Sequence, residues 1–328
     1  MSVDTSPIPP FFIFGCGRSG TTLLRAMLHH HPRIAVPPEA LSLVDFLRVS
    51  DRLSINQARL SLMKDYELRE WGVPLRAEDF ADCTTVAELI ERVHEVYARQ
   101  HGKETWGHKT PRMVRHADLL ARAFPAAKFI HVVRDPRAVA RSFQRSPVHR
   151  SNAFYAARRW RRDVEAGRAF AQRCPERAIE VRYEDLVAEP QHTLRRVGDF
   201  LGIAFDPAML DYADDAPGDY GAYHEQIHEK LASKPDPSRI ELWRESLTPR
   251  QLRVVESVVG DAMRRYGYEP VCDRAASAWD VRAQRLDRVP GLAGQIVFSL
   301  RKRSGFLPGY VLRKLRLRLY RDLLEVHG

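Results

Sequence analysis

Three groups of residues in this chain have types and spacings that could do chemistry. The first is Gly15-Cys-Gly-Arg-Ser-Gly-Thr-Thr22, where Gly15, Gly17 and Gly20 surround Arg18 and Ser19. An apolar run, Phe11–Phe14, precedes it, and Leu23, Leu24, Met27 and Leu28 recur at helical spacing after it. The stretch therefore reads as strand, glycine loop, helix. Such a junction aims several backbone N–H groups and the positive end of a helix dipole at one spot, which makes a site for a phosphate or a similar oxyanion. The second group is Arg134 and Ser142, eight residues apart, at the end of the apolar run Lys128–Val133 and a helix turn or so past Pro136. Both could close on another anionic group. The third is a set of candidate proton acceptors, Glu39, His108 and His131. Glu39 could equally be a carboxylate that only meets a helix dipole. His131, in the middle of an apolar strand, fits a satisfied core histidine better than a base.

The glycine loop is P-loop-like but departs from G-x-x-x-x-G-K-[ST], because Thr21 fills the lysine slot and the one cation, Arg18, lies inside the loop. The lysine clamp on β- and γ-phosphates is then missing, which argues against a P-loop kinase dependent on ATP and Mg²⁺. Metal chemistry has no support in the pattern either. Cys16, Cys83, Cys174 and Cys272 are scattered, the acids near Asp45 and Asp51 lack ligand spacing, and His29, His30 and His31 point in different directions on a helix. No metal site is expected, and the histidine run is expected to be a solvated helix end. Unpaired cysteines point to a reduced, cytoplasmic compartment.

The elements that must hold these residues are strands alternating with helices. Strands are expected at Phe11–Phe14, Ile34–Val36, Glu104–Lys109, Lys128–Val133 and Ala178–Tyr183, and helices at Met113–Phe124, Arg137–Gln144, Gln191–Leu201 and Pro249–Tyr266. This pattern predicts an α/β fold, a parallel sheet covered by helices on both faces, with ligands at the carboxyl ends of the strands, where Arg18, Arg134 and Tyr183 fall. A helical insert, about 40–103, is expected to cap the site. The body spans 1–274 and a tail spans 275–328.

At 328 residues, 44% hydrophobic and 29% charged, the chain is long enough for a sizeable core, and its net charge is +10. The tail carries eleven Lys or Arg against four Asp or Glu, so seven of the ten net charges lie there. Leu312, Leu315, Leu319, Leu323 and Val326 recur at helical spacing with Arg313, Lys314, Arg316, Arg318 and Arg321 between them. Two readings stay open: a helix docked on the body with a solvated basic face, or a peripheral helix on an anionic membrane. No apolar run approaches the ~20 residues of a membrane span, and no signal peptide is recognisable. The tail lacks a nucleic-acid reading module, so nucleic acid is not the expected partner.

Taken together the blocks resemble those of sulfotransferases that use 3′-phosphoadenosine 5′-phosphosulfate (PAPS). Gly15–Thr22 is similar to the family's 5′ loop, and Val133-Arg-Asp-Pro-Arg-Ala-Val-Ala-Arg-Ser142 to its 3′-phosphate motif. Val181-Arg-Tyr-Glu-Asp-Leu186 is similar to its third block, whose tyrosine lies against the nucleotide. The run Arg18–Pro32 resembles the tyrosylprotein and bacterial branch. The resemblance implies transfer of a sulfo group from PAPS to an acceptor hydroxyl, leaving the product PAP, without metal. It further implies Gly17, Arg18, Ser19, Gly20, Thr21, Thr22, Arg134, Ser142 and Tyr183 as nucleotide contacts, and Ser238 and Arg239 as a loosely matched last contact. Glu39 is implied as the base, with His108 second, and Lys109 of Lys-Thr-Pro111 with Arg18 as cations on the reacting group. Pro38 stands where the tyrosylprotein branch has a further glutamate. A non-catalytic adaptor using the basic tail is the remaining rival.

Overall fold

The computed structural model describes residues 8–146, 151–212, 236–286 and 306–319. Within them lies one parallel sheet of β1 (Phe11–Gly15), β2 (Ile34–Ala35), β3 (Thr105–Lys109), β4 (Lys128–Val133) and β5 (Ala178–Arg182). Its order is β2-β3-β1-β4-β5. Phe11 stands opposite Gly107 on β3 and Lys128 on β4. The chain leaving β1 turns towards β2, whereas the chain leaving β4 turns towards β5. The carboxyl ends of β1 and β4 thus form the switch point at which such sheets bind ligands, and the loops bearing Arg18 and Arg134 begin there.

Helices cover both faces. After β1 comes α1 (Thr21–His29), and between β2 and β3 stand α2 (Ser42–Arg48), α3 (Ile55–Met63), α4 (Tyr66–Arg69) and α5 (Val86–Gln100). A 3₁₀ turn, Pro111–His116, and α6 (Ala117–Ala123) lead to β4. Then follow α7 (Pro136–Gln144), α8 (Ala153–Arg173), α9 (Tyr183–Ala188) and α10 (Pro190–Leu201). The remainder holds α11 (Trp243–Ser246), α12 (Pro249–Val259), α13 (Ala278–Leu286) and α14 (Phe306–Arg316). Strand side chains alternate between two apolar layers. Phe12, Phe14 and Phe129 pack with Leu89 and Val93 of α5, and Phe11, Ile13 and Ile130 pack with Leu24 and Met27 of α1 and Leu194 of α10.

Several local expectations change. Pro111 starts a 3₁₀ turn, so the expected helix Met113–Phe124 becomes that turn plus α6. The helix expected to reach Tyr266 stops at Val259, because Gly260 adopts φ 55°. Tyr183 opens α9 instead of closing a strand. The expectation had no element between Gln144 and Ala178, where α8 runs for 21 residues. His29 and His31 are buried, not solvated: His29 Nδ1 accepts from the Val36 amide (3.0 Å) and His31 Nδ1 from the Arg33 amide (3.2 Å).

The largest departure concerns the tail. On α14 Arg313 and Lys314 face inward, and Leu312 and Leu315 face out, 59% and 45% exposed. Arg313 donates to Asp45 of α2 (2.9 Å), to Asp65 (3.2 Å) and to Glu67 of α4 (3.0 Å), and Lys314 donates to Asp45 (2.5 Å). All five side chains are buried. Three carboxylates sunk in the helical segment require counter-cations, and that requirement outweighs burial of two leucines. Burial still pushes the Glu67 carboxyl above its ordinary value, with Arg313 opposing the shift. The solvated basic face expected of this helix is therefore corrected for Arg313 and Lys314. Arg321, Leu323 and Val326 lie outside the described residues. Removing Arg313 leaves buried negative charge uncompensated, so Arg313→Ala should cost about 3–5 kcal/mol of stability. An unchanged urea midpoint would show that the ion cluster does not hold α14 in place.

Candidate active site

The glycine loop is held in a conformation that few sequences tolerate. Arg18 adopts φ 72°, a left-handed backbone that costs a non-glycine residue about 1 kcal/mol or more. Gly20 adopts φ 94°, and a Cβ there would stand 2.3 Å from the Tyr183 ring. That close approach brings the third sequence block onto the first. Arg18 Nε donates to Ser142 Oγ (3.1 Å), and an Arg134 guanidinium N–H donates to the Arg18 carbonyl (3.2 Å). The Arg134 guanidinium also lies 4.0 Å from the Tyr183 ring centroid. Three blocks, the first more than a hundred residues before the other two, thus meet at the carboxyl edge of β1 and β4. Of the remaining loop residues, Gly17 lies against Phe143, Thr21 is buried, and Ser19 is fully buried.

The surroundings set these groups for an anion. Arg134 does not pair with Asp135, which is taken by Arg137 (2.7 Å), itself bonded to Glu256 (3.0 Å). Trp160 of α8 donates its indole N–H to the Arg134 carbonyl (2.7 Å) and fixes that corner. Among the described residues two donors of this constellation are buried without a partner, Ser19 Oγ and Arg134 Nε. Burial, and next the neighbouring Arg134 charge, lower the Arg18 pKa. A buried donor left unmatched costs roughly 1–3 kcal/mol, so orphans at both ends of the constellation fit a ligand with two oxyanion groups.

Lys109 and Glu39 form the second half of the site. Lys109, 1% exposed at the end of β3, donates to the Glu39 carboxylate and to Thr22 Oγ1 (3.2 Å). Burial lowers its pKa, and Glu39 opposes that shift. Lys109 and Arg18 feel each other's charge, so the loop, the lysine and the carboxylate share one neighbourhood. Glu39 keeps 29% of its side chain exposed.

His108 is not part of that opening. It is 0% exposed, with Nδ1 bonded to His94 Nε2 (3.0 Å) and Nε2 bonded to Thr110 Oγ1 (3.0 Å). The second-choice base is therefore corrected: no acceptor reaches it. Its protonation follows from the chain of bonds. His94 Nδ1 meets the Ile90 carbonyl (2.7 Å), which only accepts, and burial pulls His94 down to about 4. A neutral His94 then accepts at Nε2 from His108 Nδ1, and His108 accepts from the Thr110 hydroxyl. Thr110 Oγ1 in turn accepts the amide of Ala40 (3.1 Å), the residue after Glu39. Successive residues of one segment thus grip the carboxylate and its backbone. Thr110, His94 and Trp160 were not legible as functional residues in the sequence.

The other expected residues lie apart. His131 is a core histidine bonded to Glu180 (2.9 Å). Ser238 and Arg239 sit on a 3₁₀ turn packed beside α9, both engaged with Asp236. Ser233–Pro235 of the same stretch lie outside the described residues. Among the described residues no cluster of His, Cys, Asp and Glu could hold a metal ion.

The profile of the sulfotransferase family matches residues 9–207, the span that carries every block above. The chain belongs to the sulfotransferase family. It is a transferase of that class, whose members take their sulfo group from PAPS and pass it to hydroxyl-bearing acceptors. The chain is 29% identical to nodulation protein NoeE of Sinorhizobium fredii, over 85% of this chain and 70% of that protein. It is 28% identical to the omega-hydroxy-beta-dihydromenaquinone-9 sulfotransferase Stf3 of Mycobacterium tuberculosis, covering 80% and 76%. Protein-tyrosine sulfotransferase 1 of Danio rerio is 26% identical, covering 80% and 73%. In three dimensions the sulfotransferase domain of the curacin biosynthetic pathway superposes with TM-score 0.58 at 24% identity, over 80% of this chain and 99% of that domain. The sulfotransferase domain of the Synechococcus olefin synthase gives 0.54 at 26% identity, over 82% and 98%. Family membership removes the kinase and adaptor rivals.

Proposed function

We propose that this sulfotransferase binds PAPS across the β1–β4 switch point and uses Glu39 to activate the hydroxyl of its acceptor, with PAP as the product. The observation that carries this reading is the convergence of Arg18, Ser142, Arg134 and Tyr183 beside the Lys109–Glu39 pair. The loop Gly17–Thr22 would hold the 5′ phosphosulfate, with Ser19 Oγ finding there the partner it lacks among the described residues. Arg134 and Ser142 would hold the 3′ phosphate, and Tyr183 would lie against the nucleotide. Ser238 and Arg239, on the turn beside α9, would close over it. PAPS supplies an activated sulfo group on a phosphate leaving group.

The protein's share is positioning and charge. Glu39 takes the proton from the acceptor oxygen as that oxygen attacks, a contribution of about 10²–10⁴-fold for a well-placed base. Lys109 and Arg18, both drawn out of water, face the negative charge that grows at the leaving oxygen. Desolvation strengthens that attraction relative to its value in water. Thr22 holds the lysine ammonium in place (3.2 Å). The acceptor enters from the helical segment between β2 and β3, which follows Glu39 directly. A sugar, a lipid-linked alcohol, a natural-product alcohol or a tyrosine would each offer a suitable oxygen. No metal takes part in this scheme.

Glu39→Gln should lower kcat by about 10²–10⁴-fold while calorimetric affinity for PAP stays within experimental error. Near-normal turnover on a panel of labelled-PAPS acceptors would remove Glu39 from the role. Arg134→Ala deletes a charge-assisted contact and should weaken PAP by roughly 10–100-fold; preserved affinity would place the 3′ phosphate elsewhere.

The tail retains an outward strip of Leu312, Leu315, Arg316 and Arg318, suited to resting on an anionic bilayer. No helix among the described residues is long and apolar enough to cross a membrane. Leu312→Ser with Leu315→Ser should abolish co-sedimentation with phosphatidylserine vesicles, and retained sedimentation would discard the contact.

A further inference from the structure

Glu39 stands four residues past the end of β2, at the tip of an arm that has left the sheet. Ile34 and Ala35 pair with Thr105 and Trp106 of β3, and the strand ends there. The arm is Val36-Pro37-Pro38-Glu39, and its first three residues are buried. Proline lacks an N–H, fixes its own φ and confines the residue before it to extended backbone. Val36 and Pro37 each precede a proline, so the arm is stiff. Whatever fixes Val36 therefore also fixes where the backbone of Glu39 stands.

Both backbone groups of Val36 are taken by side chains of α1. Arg25 Nε donates to the Val36 carbonyl (2.8 Å), and the Val36 amide donates to His29 Nδ1 (3.0 Å). Both side chains are buried. His29 accepts at Nδ1 as the neutral ring, with its proton on Nε2. Burial, and next the Arg25 charge, lower its pKa and so favour that form. The rings of Tyr97 and His101 flank it, with centroids 6.2 and 5.6 Å away. Arg25 and His29 follow Thr22 by three and seven residues, which places all three on one face of α1. Thr22 Oγ1 receives Lys109, the lysine that grips the Glu39 carboxylate. One helix face thus meets the arm at its root and, through Lys109, at its tip. The same helix begins at the glycine loop.

Docking of α1 on the sheet is the work of its other side, where Leu24, Met27 and Leu28 enter the apolar layer. From the polar face we infer that Arg25 and His29 are positioning residues for the reaction. They hold the arm so that the Glu39 carboxylate stands at a set distance from the loop that receives the phosphosulfate. Thr110 and Glu67 order the chain after Glu39, and Arg25 with His29 order the chain before it. The inference rests on the reading of Glu39 as the base and adds what keeps that base in register with the sulfo donor. Register matters because a misplacement of about 1 Å at a reacting group can lower a rate on the order of 10²-fold.

Paired substitutions in the full chain test this. His29→Asn keeps an acceptor where Nδ1 stands, whereas His29→Gln moves it one bond outward with little change in size. Arg25→Gln keeps an N–H where Nε stands, and Arg25→Met removes it. Turnover is read as transfer from labelled PAPS to the acceptor panel and as labelled sulfate released to water, and PAP affinity by calorimetry. His29→Gln and Arg25→Met should each lower kcat about 10–100-fold. His29→Asn and Arg25→Gln should keep kcat within about fivefold, and all four should bind PAP within about twofold of wild type. Added to Glu39→Gln, His29→Gln should lower kcat by less than about twofold more, because its effect passes through the carboxylate already lost. Wild-type turnover of His29→Gln, equal losses in the two members of a pair, or a full further loss on top of Glu39→Gln each overturns the inference. Should Arg25→Met fail to fold, the His29 pair decides alone. Normal turnover of Glu39→Gln by itself would instead overturn the base, and failure of the wild type to bind PAP the nucleotide reading, so the failures are distinct.

Discussion

The structure depends on concentrating positive charge where water is scarce. Arg18, Arg134 and Lys109 stand at the carboxyl ends of three neighbouring strands, within reach of one another's fields. Glu39 is the carboxylate that answers them. Such a cluster opposes folding by itself, since desolvated cations repel and lose hydration. It is tolerable because the sheet and its helices are assembled elsewhere, through two aromatic and aliphatic layers that enclose the strands from both sides. The apolar layers supply the stability, and the strand ends use part of it to hold a surplus of charge ready for an anionic ligand. That surplus is the physical content of the site.

Precision at the strand ends comes from contacts that look unrelated to chemistry. The left-handed Arg18 backbone is secured by Arg134 bonding its carbonyl, and Arg134 is in turn fixed by Trp160 and by the Tyr183 ring. Removing one member would free the others, so the three sequence blocks behave as one unit. Arg137 ties the corner after β4 to α12 through Glu256 and stacks on Trp243 at 3.9 Å. The helices after the nucleotide blocks thus matter as props for their geometry.

How much of this was legible in the sequence follows from the range of the signals. The strands were readable because each is a short apolar run bounded by a breaker, and the glycine loop because its spacing fixes its conformation locally. The helix α8 was not, since arginines dominate its composition and its buried stripe of Phe154, Ala157, Trp160 and Val164 shows only once the packing is known. Glu39 and Lys109 were legible through resemblance, but their contact across 70 residues is tertiary. His108 was misjudged for the same reason. Its neighbour Lys109 faces the site, so alternation along a strand turns His108 to the other face. The inward turn of Arg313 and Lys314 was hidden because the deciding carboxylates lie some 250 residues earlier in the chain.

Those carboxylates link the end of the chain to its chemistry. The segment from Glu39 to Ser42 is gripped at three successive points. Lys109 takes the Glu39 carboxylate, Thr110 takes the Ala40 amide, and Glu67 takes the Ser42 amide (2.7 Å). Glu67 is itself held by Arg313, and Asp45, one turn further along α2, is held by Arg313 and Lys314. The histidine pair behind Thr110 is neutral and directional, so it orders that amide without adding charge to a region already rich in it. The α14 cations work by charge instead, neutralising Asp45, Asp65 and Glu67 behind the segment. The two sets of contacts thus order the Glu39–Ser42 segment and balance the charge behind it separately. The tail helix and the buried histidines are therefore joined, through Glu67 and Thr110, to the same short segment that carries Glu39.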